Sequence, residues 1–256
     1  MPKRVFAVAA HPDDIEFVMS GTMMLLKDAG YELHYMNVAN GCCGSTQYDA
    51  ETTARVRREE AMNAANFLGA TFHESLTNDL EIFYDKSLLQ KMASIMREVQ
   101  PEIVLTHSPQ DYMEDHMNAA RLAVTGAFSR GMPNFPVSPP QAPSNQPVAI
   151  YHAQPHGNRD ALREPVRPNL VVDVTTKIAG KVQMLALHKS QKEWLDESQG
   201  MDSYTESMKE LCAEIGQFAG CAYGEGWRQH SHLGFADESF DPLGAALSEF
   251  ALKPTA

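Results

Sequence analysis

The tetrapeptide His11-Pro12-Asp13-Asp14 directly follows a short apolar run, Val5 to Ala10. An imidazole and a carboxylate three residues apart, His11 and Asp14, can reach one metal ion. The neighbouring carboxylate, Asp13, then stays free to act as a base. Pro12 stiffens the turn and restricts where His11 points relative to Asp14. The same residues also suit a plain turn whose aspartate caps the next helix, a position that favours Asp. A second polar segment, His107-Ser108-Pro109-Gln110-Asp111-Tyr112-Met113-Glu114-Asp115-His116, follows another apolar run, Ile103 to Thr106. Together the two segments offer His, Asp and His. Three protein ligands with an open position for water is the pattern of catalytic zinc (Zn2+). Nitrogen and oxygen ligands without sulfur also admit ferrous iron (Fe2+).

The elements around these segments must bring them to one place. Val5 to Ala10, Leu33 to Ala39, Ala70 to His73, Ile103 to Thr106, Val148 to His152 and Leu170 to Val174 read as strands. Phe17 to Ala29, Thr53 to Leu68, Ser87 to Val99, Asp115 to Phe128, Thr176 to Trp194 and Ser203 to Phe218 read as helices. This alternation predicts an α/β protein with a doubly wound, mostly parallel sheet and helices on both faces. In such a sheet, ligands bind outside the carboxyl ends of the strands, where both polar segments emerge. Residues 131–147 break the pattern with six prolines and no predicted element. They read as an insert, either a lid or a surface excursion, in a single domain spanning 1–256.

Composition narrows the function classes. The chain has 256 residues, 21 Lys plus Arg and 33 Asp plus Glu, for a net charge of −12. A nucleic-acid backbone or an anionic membrane repels such a surface on average, so neither is an expected partner. No apolar stretch reaches the ~18 residues of a membrane span. The four cysteines, Cys42, Cys43, Cys212 and Cys221, form no CxxC pair, which predicts reduced thiols and a cytoplasmic protein. The first strand is followed by His-Pro-Asp-Asp and not by a GxGxxG turn, which argues against a dinucleotide-binding dehydrogenase.

His11-Pro12-Asp13-Asp14-Ile15-Glu16, Ser20-Gly21-Thr22, Arg57-x-x-Glu60 and Asp115-His116 resemble, in this order, the motifs of the LmbE/PIG-L family of zinc-dependent deacetylases. His188-Lys189-Ser190-Gln191 and Tyr223-Gly224-Glu225-Gly226-Trp227 resemble the family's later elements. The resemblance implies a Rossmann-like fold without a nucleotide and removal of an acetyl group from the nitrogen of a small amino-sugar substrate. By position it implies His11, Asp14 and His116 as zinc ligands, Asp13 as general base and Arg57 as a substrate contact. It also admits a homo-oligomer.

The sequence departs from the family at Met113, where the family commonly carries a histidine that assists the oxyanion. Methionine donates no hydrogen bond. Tyr112, His152, His156 and His188 are the candidate replacements. His156 follows a predicted strand and stands foremost, and both His156 and His188 are expected to contact substrate. Trp194, Trp227, Phe135 and Tyr112 are candidate aromatic faces for a sugar ring. Cys42 and Cys43, in the loop Asn40-Gly41-Cys42-Cys43-Gly44, are expected to pack more than to react. An amidase or O-deacetylase on the same scaffold, or a weakened sugar-binding relative, are the rival readings.

Overall fold

A computed structural model describes residues 2–191 and 203–255, so Trp194 lies outside the described residues. The elements run β1 (Arg4–Ala9), α1 (Asp14–Val18), α2 (Ser20–Asp28), β2 (Glu32–Asn37), α3 (Ala50–Leu68), β3 (Thr71–His73), α4 (Lys86–Val99), β4 (Ile103–Thr106), α5 (Glu114–Ser129), β5 (Ala149–Ala153), β6 (Leu170–Asp173), α6 (Ile178–Leu185), α7 (Ser203–Gln217), β7 (Gly224–Gln229), α8 (Pro242–Ala246) and β8 (Ala251–Leu252). They build one sheet in the order β3-β2-β1-β4-β5-β7-β6-β8. The first five strands pair in parallel. The strand β7 is antiparallel to β5 and β6, and β8 is antiparallel to β6. The fold is therefore α/β with a mixed sheet, whose parallel part carries β1 and β4 side by side.

Side chains alternate across a strand, so β1 feeds two cores. Val5, Ala7 and Ala9 pack with Leu26, Ala61, Ala65 and Met184 from α2, α3 and α6. Phe6, Val8 and Ala10 pack with Met92, Met96, Leu122 and Ala123 from α4 and α5. Covering both faces erases the period-2 pattern along the central strands, which are buried at every position from Val5 to Ala9.

The expected helix from Phe17 to Ala29 starts earlier, at Asp14, and breaks at Met19. Ser20 Oγ donates to the Glu16 carbonyl, a local bond that bends helices. The restart at Ser20 is supported from across the chain. Glu225 of β7 accepts the Gly21 and Thr22 backbone N–H groups at 2.9 and 2.7 Å. A carboxylate at a helix N-terminus satisfies orphan donors and opposes the dipole favourably. Gly21 is required there, because a Cβ would sit 2.7 Å from Val174. The expected helix Thr176 to Trp194 is also interrupted, since α6 ends at Leu185 and residues 189–191 are helical again.

The strand β7 was hidden in the sequence by Gly224 and Gly226, which depress strand propensity. Gly224 is needed because its Cα lies against Val171 of β6, where a Cβ would clash at 2.6 Å. Residues 131–147 contain neither helix nor strand, as expected, and are fastened to α4 and α5. Arg97 donates to the carbonyls of Ser129, Met132, Phe135 and Gln141. Arg130 donates to Gln146, and Ser94 to Pro139. Among the described residues, no helix is long and apolar enough to cross a membrane.

Two polar features of the fold yield measurable consequences. Lys181 is fully buried and pairs with Glu225, also donating to the Glu16 and Phe17 carbonyls. Removing one partner strands a buried charge, so Lys181→Met should lose about 3–5 kcal/mol in a denaturant melt. Lys177→Met, at the exposed pair with Asp28, should lose under ~1 kcal/mol. At the opposite edge of the sheet, His34 Nδ1 and His73 Nε2 lie 2.9 Å apart. Burial, with His73 and Arg4 beside it, pushes the His34 pKa down to about 4. The unfolded chain takes up that proton first, near its ordinary ~6.5, so stability falls as pH drops from there toward 4. Melting temperatures across this window should decline less steeply for His34→Gln than for the parent chain.

Candidate metal centre and active site

His11 leaves the end of β1, Asp14 opens α1, and His116 lies in the first turn of α5 after β4. Because β1 and β4 are neighbours, these two segments meet at one edge of the sheet. His11 Nδ1 lies 3.6 Å from Asp14 Oδ2, and His116 Nε2 lies 3.5 Å from Asp14 Oδ1. The three ligand atoms fall within 4.8 Å of one another. Bonds of ~2.05 Å at a tetrahedral angle would separate neighbouring donors by ~3.3 Å, close to what is found.

Each imidazole has its other nitrogen on a carboxylate. His11 Nε2 meets Asp115 Oδ2 at 3.0 Å, and His116 Nδ1 meets Asp111 Oδ1 at 3.1 Å. Asp115 Oδ2 also accepts the Leu80 N–H at 2.7 Å, and Asp111 Oδ1 accepts the Met113 N–H. This carboxylate–histidine pairing orients each ring and is a recurring support of metal ligands. Beneath them His107 stacks on His116, ring centroids 4.2 Å apart and nearly parallel.

The electrostatics favour a cation here. Burial alone would lower the His11 pKa, yet bonds to Asp115 and Asp14 outweigh it and raise the value to about 10. Burial is likewise overcome at His116 by Asp14 and Asp111, which raise its pKa. Burial would raise Asp14, but His116 and His107 hold it well below the usual carboxylate range. Three carboxylates around two imidazoles thus favour positive charge, which a divalent ion would supply. The donor set fits such an ion on chemistry as well as on distance.

Asp13 is 6% exposed and holds a left-handed backbone, φ 103°, rare for a residue with a side chain. Tyr204 of α7 donates to its Oδ2 at 2.6 Å, and Arg57 Nη2 lies 3.3 Å from the same oxygen. Arg57 also donates to the Pro12 and Gly41 carbonyls, tying down the turn. Burial raises the Asp13 pKa against the Arg57 charge, and Asp14 adds to the rise. A strained, buried carboxylate with a raised pKa is a recurring feature of functional sites. Gly41 and Gly44 press on Arg57, where a Cβ would come within 2.7 and 2.4 Å. These glycines thus admit the guanidinium to the site.

A cavity of about 330 Å³ opens over this cluster. His11, Asp13, Asp14, His116 and Arg57 all line it, as does His156. His156 packs beside Phe17 and Tyr112, with centroids at 5.0 and 5.8 Å. Met113 lines it too, and of the candidate replacement donors only Tyr112 and His156 share the cavity. His152 instead bonds the His107 carbonyl and His230. His188 is fully buried, 3.3 Å from Glu16, so it has no surface with which to touch substrate. That expectation is corrected: His188 sits behind Asp13 and lowers its pKa through its charge. Trp227 is likewise in the core, bonded to Thr22, and Phe135 of the 131–147 segment is not part of the lining. The aromatic walls are Phe17, Tyr112 and Tyr204. Asp111 stood in the second polar segment without a role assigned, while Asp79 and Tyr204 escaped the sequence reading; Tyr204 reaches Asp13 across 191 residues, with no local signal.

The supporting carboxylates have a measurable role. Asp111→Asn and Asp115→Asn should each weaken divalent-metal binding by about 10–100-fold in calorimetric titration. Unaltered affinity in both would show that neither carboxylate orients its imidazole.

Residues 6–127 match the PIG-L family, described as GlcNAc-PI de-N-acetylase. Over 196 residues the chain is 27% identical to diacetylchitobiose deacetylase of Thermococcus kodakarensis, covering 74% of this chain and 70% of that protein. It is 36% identical over 129 residues to 4-oxalmesaconate hydratase of Pseudomonas putida, covering 47% of this chain and 50% of that protein. Among solved structures, the fold is similar to N,N'-diacetylchitobiose deacetylase from Pyrococcus horikoshii in complex with an inhibitor. The TM-score is 0.77 at 25% identity, covering 94% of this chain and 88% of that one. With the motif order and the sheet topology, these matches show a PIG-L (LmbE-like) region over residues 6–127 and a fold similar to that family's along most of the chain.

Proposed function

We propose that the chain is a zinc-dependent hydrolase that removes the N-acetyl group from a small N-acetylglucosamine-containing sugar. The observation that carries this reading is the juxtaposition of His11, Asp14 and His116 with the buried Asp13 in one cavity. The relatives named as deacetylases support the substrate class. His11, Asp14 and His116 would hold the ion, with ferrous iron the alternative. When bound, a divalent ion supplies an acidified water and polarises the amide carbonyl.

The protein's own groups divide the remaining work. Tyr204 and Arg57 both engage Asp13 Oδ2, which leaves Oδ1 to take a proton as water attacks. The raised pKa lets the same carboxyl hold that proton and pass it to the departing amine. Arg57 keeps Asp13 in its strained turn by gripping the Pro12 carbonyl. His156 and Tyr112 are the polar groups placed to replace the donor that Met113 lacks. Phe17 and Tyr112 offer apolar faces to a sugar ring. The free cysteines fit a reducing, cytoplasmic setting.

A second reading rests on the relative named as a hydratase. Hydration of a carbon–carbon double bond also needs an activated water and a positioned carboxylate, and needs no donor at position 113 for an amide oxyanion. A panel of N-acetylglucosamine sugars, O-acetyl sugars and unsaturated dicarboxylic acids, assayed for acetate release and for loss of the double bond, separates the two. Acetate released from the N-acetyl sugars supports the proposal; turnover of the unsaturated acids alone replaces it with the second reading. Asp13→Asn should retain metal by elemental analysis while turnover falls by about 10²–10⁴-fold. Undiminished turnover would remove Asp13 as the base.

A further inference from the structure

Cys42 and Cys43 carry no role in the site described above, though Cys43 lines its cavity. Their Sγ atoms lie 3.9 Å apart, and both are free thiols. Asp79, which is 8% exposed, completes a group of three whose ligand atoms fall within 4.8 Å of one another. Cys43 and Asp79 line the same cavity as Asp13 and Asp14.

The loop is already folded around the carboxylate. Asp79 Oδ1 accepts the Gly41 N–H at 2.7 Å, and Oδ2 accepts the Cys43 N–H at 2.8 Å. Each carboxylate oxygen keeps a further lone pair for a cation. The Cys42 N–H is held by Asn40 Oδ1 at 3.1 Å, which fixes the turn between the two thiols. Two thiolates at ~2.3 Å from a tetrahedral ion stand ~3.8 Å apart, which matches the spacing found. A disulfide between adjacent residues is disfavoured instead. Their Cα atoms are ~3.8 Å apart across a trans peptide, short of the ~4.4 Å that such bridges need.

We propose that Cys42, Cys43 and Asp79 form a second metal site, selective for a thiophilic divalent cation such as zinc or cadmium, at the mouth of the cavity. Its two sulfurs and one oxygen are a softer set than the two nitrogens and one oxygen of His11, Asp14 and His116. The two sites therefore sort cations by softness. Binding displaces one proton from each thiol to solvent, and the cation takes the two sulfur lone pairs with no change of oxidation state. An ion there adds bulk and positive charge at the entrance, so excess thiophilic metal narrows access to Asp13.

Cadmium chloride titrated into the metal-stripped, reduced chain provides the test, read by the ultraviolet thiolate-to-cadmium charge-transfer band. A band that develops and saturates, persists in His116→Ala and in Cys221→Ser, and vanishes in Cys42→Ser/Cys43→Ser supports the proposal. Asp79→Asn should shift its midpoint to higher cadmium. A circular-dichroism spectrum equal to that of the parent chain shows that the double variant is folded. No band in the parent chain, or a band surviving in the folded double variant, overturns the proposal. The band reports sulfur alone, so this outcome is independent of whether the histidine site binds metal or the chain hydrolyses amides.

Discussion

Two imidazoles from distant parts of the chain face one carboxylate, and each is held from behind by another. Asp14 sits between His11 and His116, while Asp115 and Asp111 take the rear nitrogens. The arrangement concentrates negative charge in a buried place, which is costly without a compensating cation. The same carboxylates raise the pKa values of His11 and His116 against the effect of burial. Much of the surrounding fold serves to make this convergence possible. Adjacent parallel strands β1 and β4 deliver the two segments to the same edge, and the two flanking cores hold the strands in register.

Asp13 gains its character from the same crowding. It stands apart from the His11, Asp14 and His116 group, with a left-handed backbone and with Tyr204 and Arg57 on its carboxylate. The neighbouring charge of Asp14 and the loss of solvent both favour its protonated form. Two consecutive aspartates thereby acquire opposite tendencies, one held anionic and one ready to carry a proton. Arg57 could not serve both Pro12 and Asp13 without the bare backbone of Gly41 and Gly44 against it.

The parallel half of the fold was legible from the sequence because its apolar runs and helical spacings are strong and local. The strand Ile103–Thr106 and the alternation around it follow directly from burial on both faces. What stayed hidden depends on pairing over long distances. The strand β7 carries two glycines and gains its place from Val171 and from Glu225 capping α2, neither of which local propensity reports. The motif residues that resembled the family turn out to have separable physical tasks. Ser190 binds Glu60 of α3, Glu225 holds Lys181, and His188 supports Glu16. Only Gln191 of that late stretch reaches the cavity, so sequence order alone could not tell structural members from those lining the site.

The cavity has two sources, and their division bears on what the scaffold can vary. The family match ends at residue 127, and the residues within it include His11, Asp13, Asp14, Arg57, Met113 and His116. The facing wall, with His156, Gln191, Tyr204 and Ser207, comes from the later, partly antiparallel portion. The first source carries the His11, Asp14 and His116 group, Asp13 and the Phe17 and Tyr112 rings, and the second adds His156, Gln191, Tyr204 and Ser207 to the lining. The chain is similar both to a relative named as a hydratase and to relatives named as deacetylases, as expected where one fold carries more than one chemistry. Met113 lines the cavity together with Tyr112 and His156. These two polar rings come one from each source, Tyr112 from the first and His156 from the second.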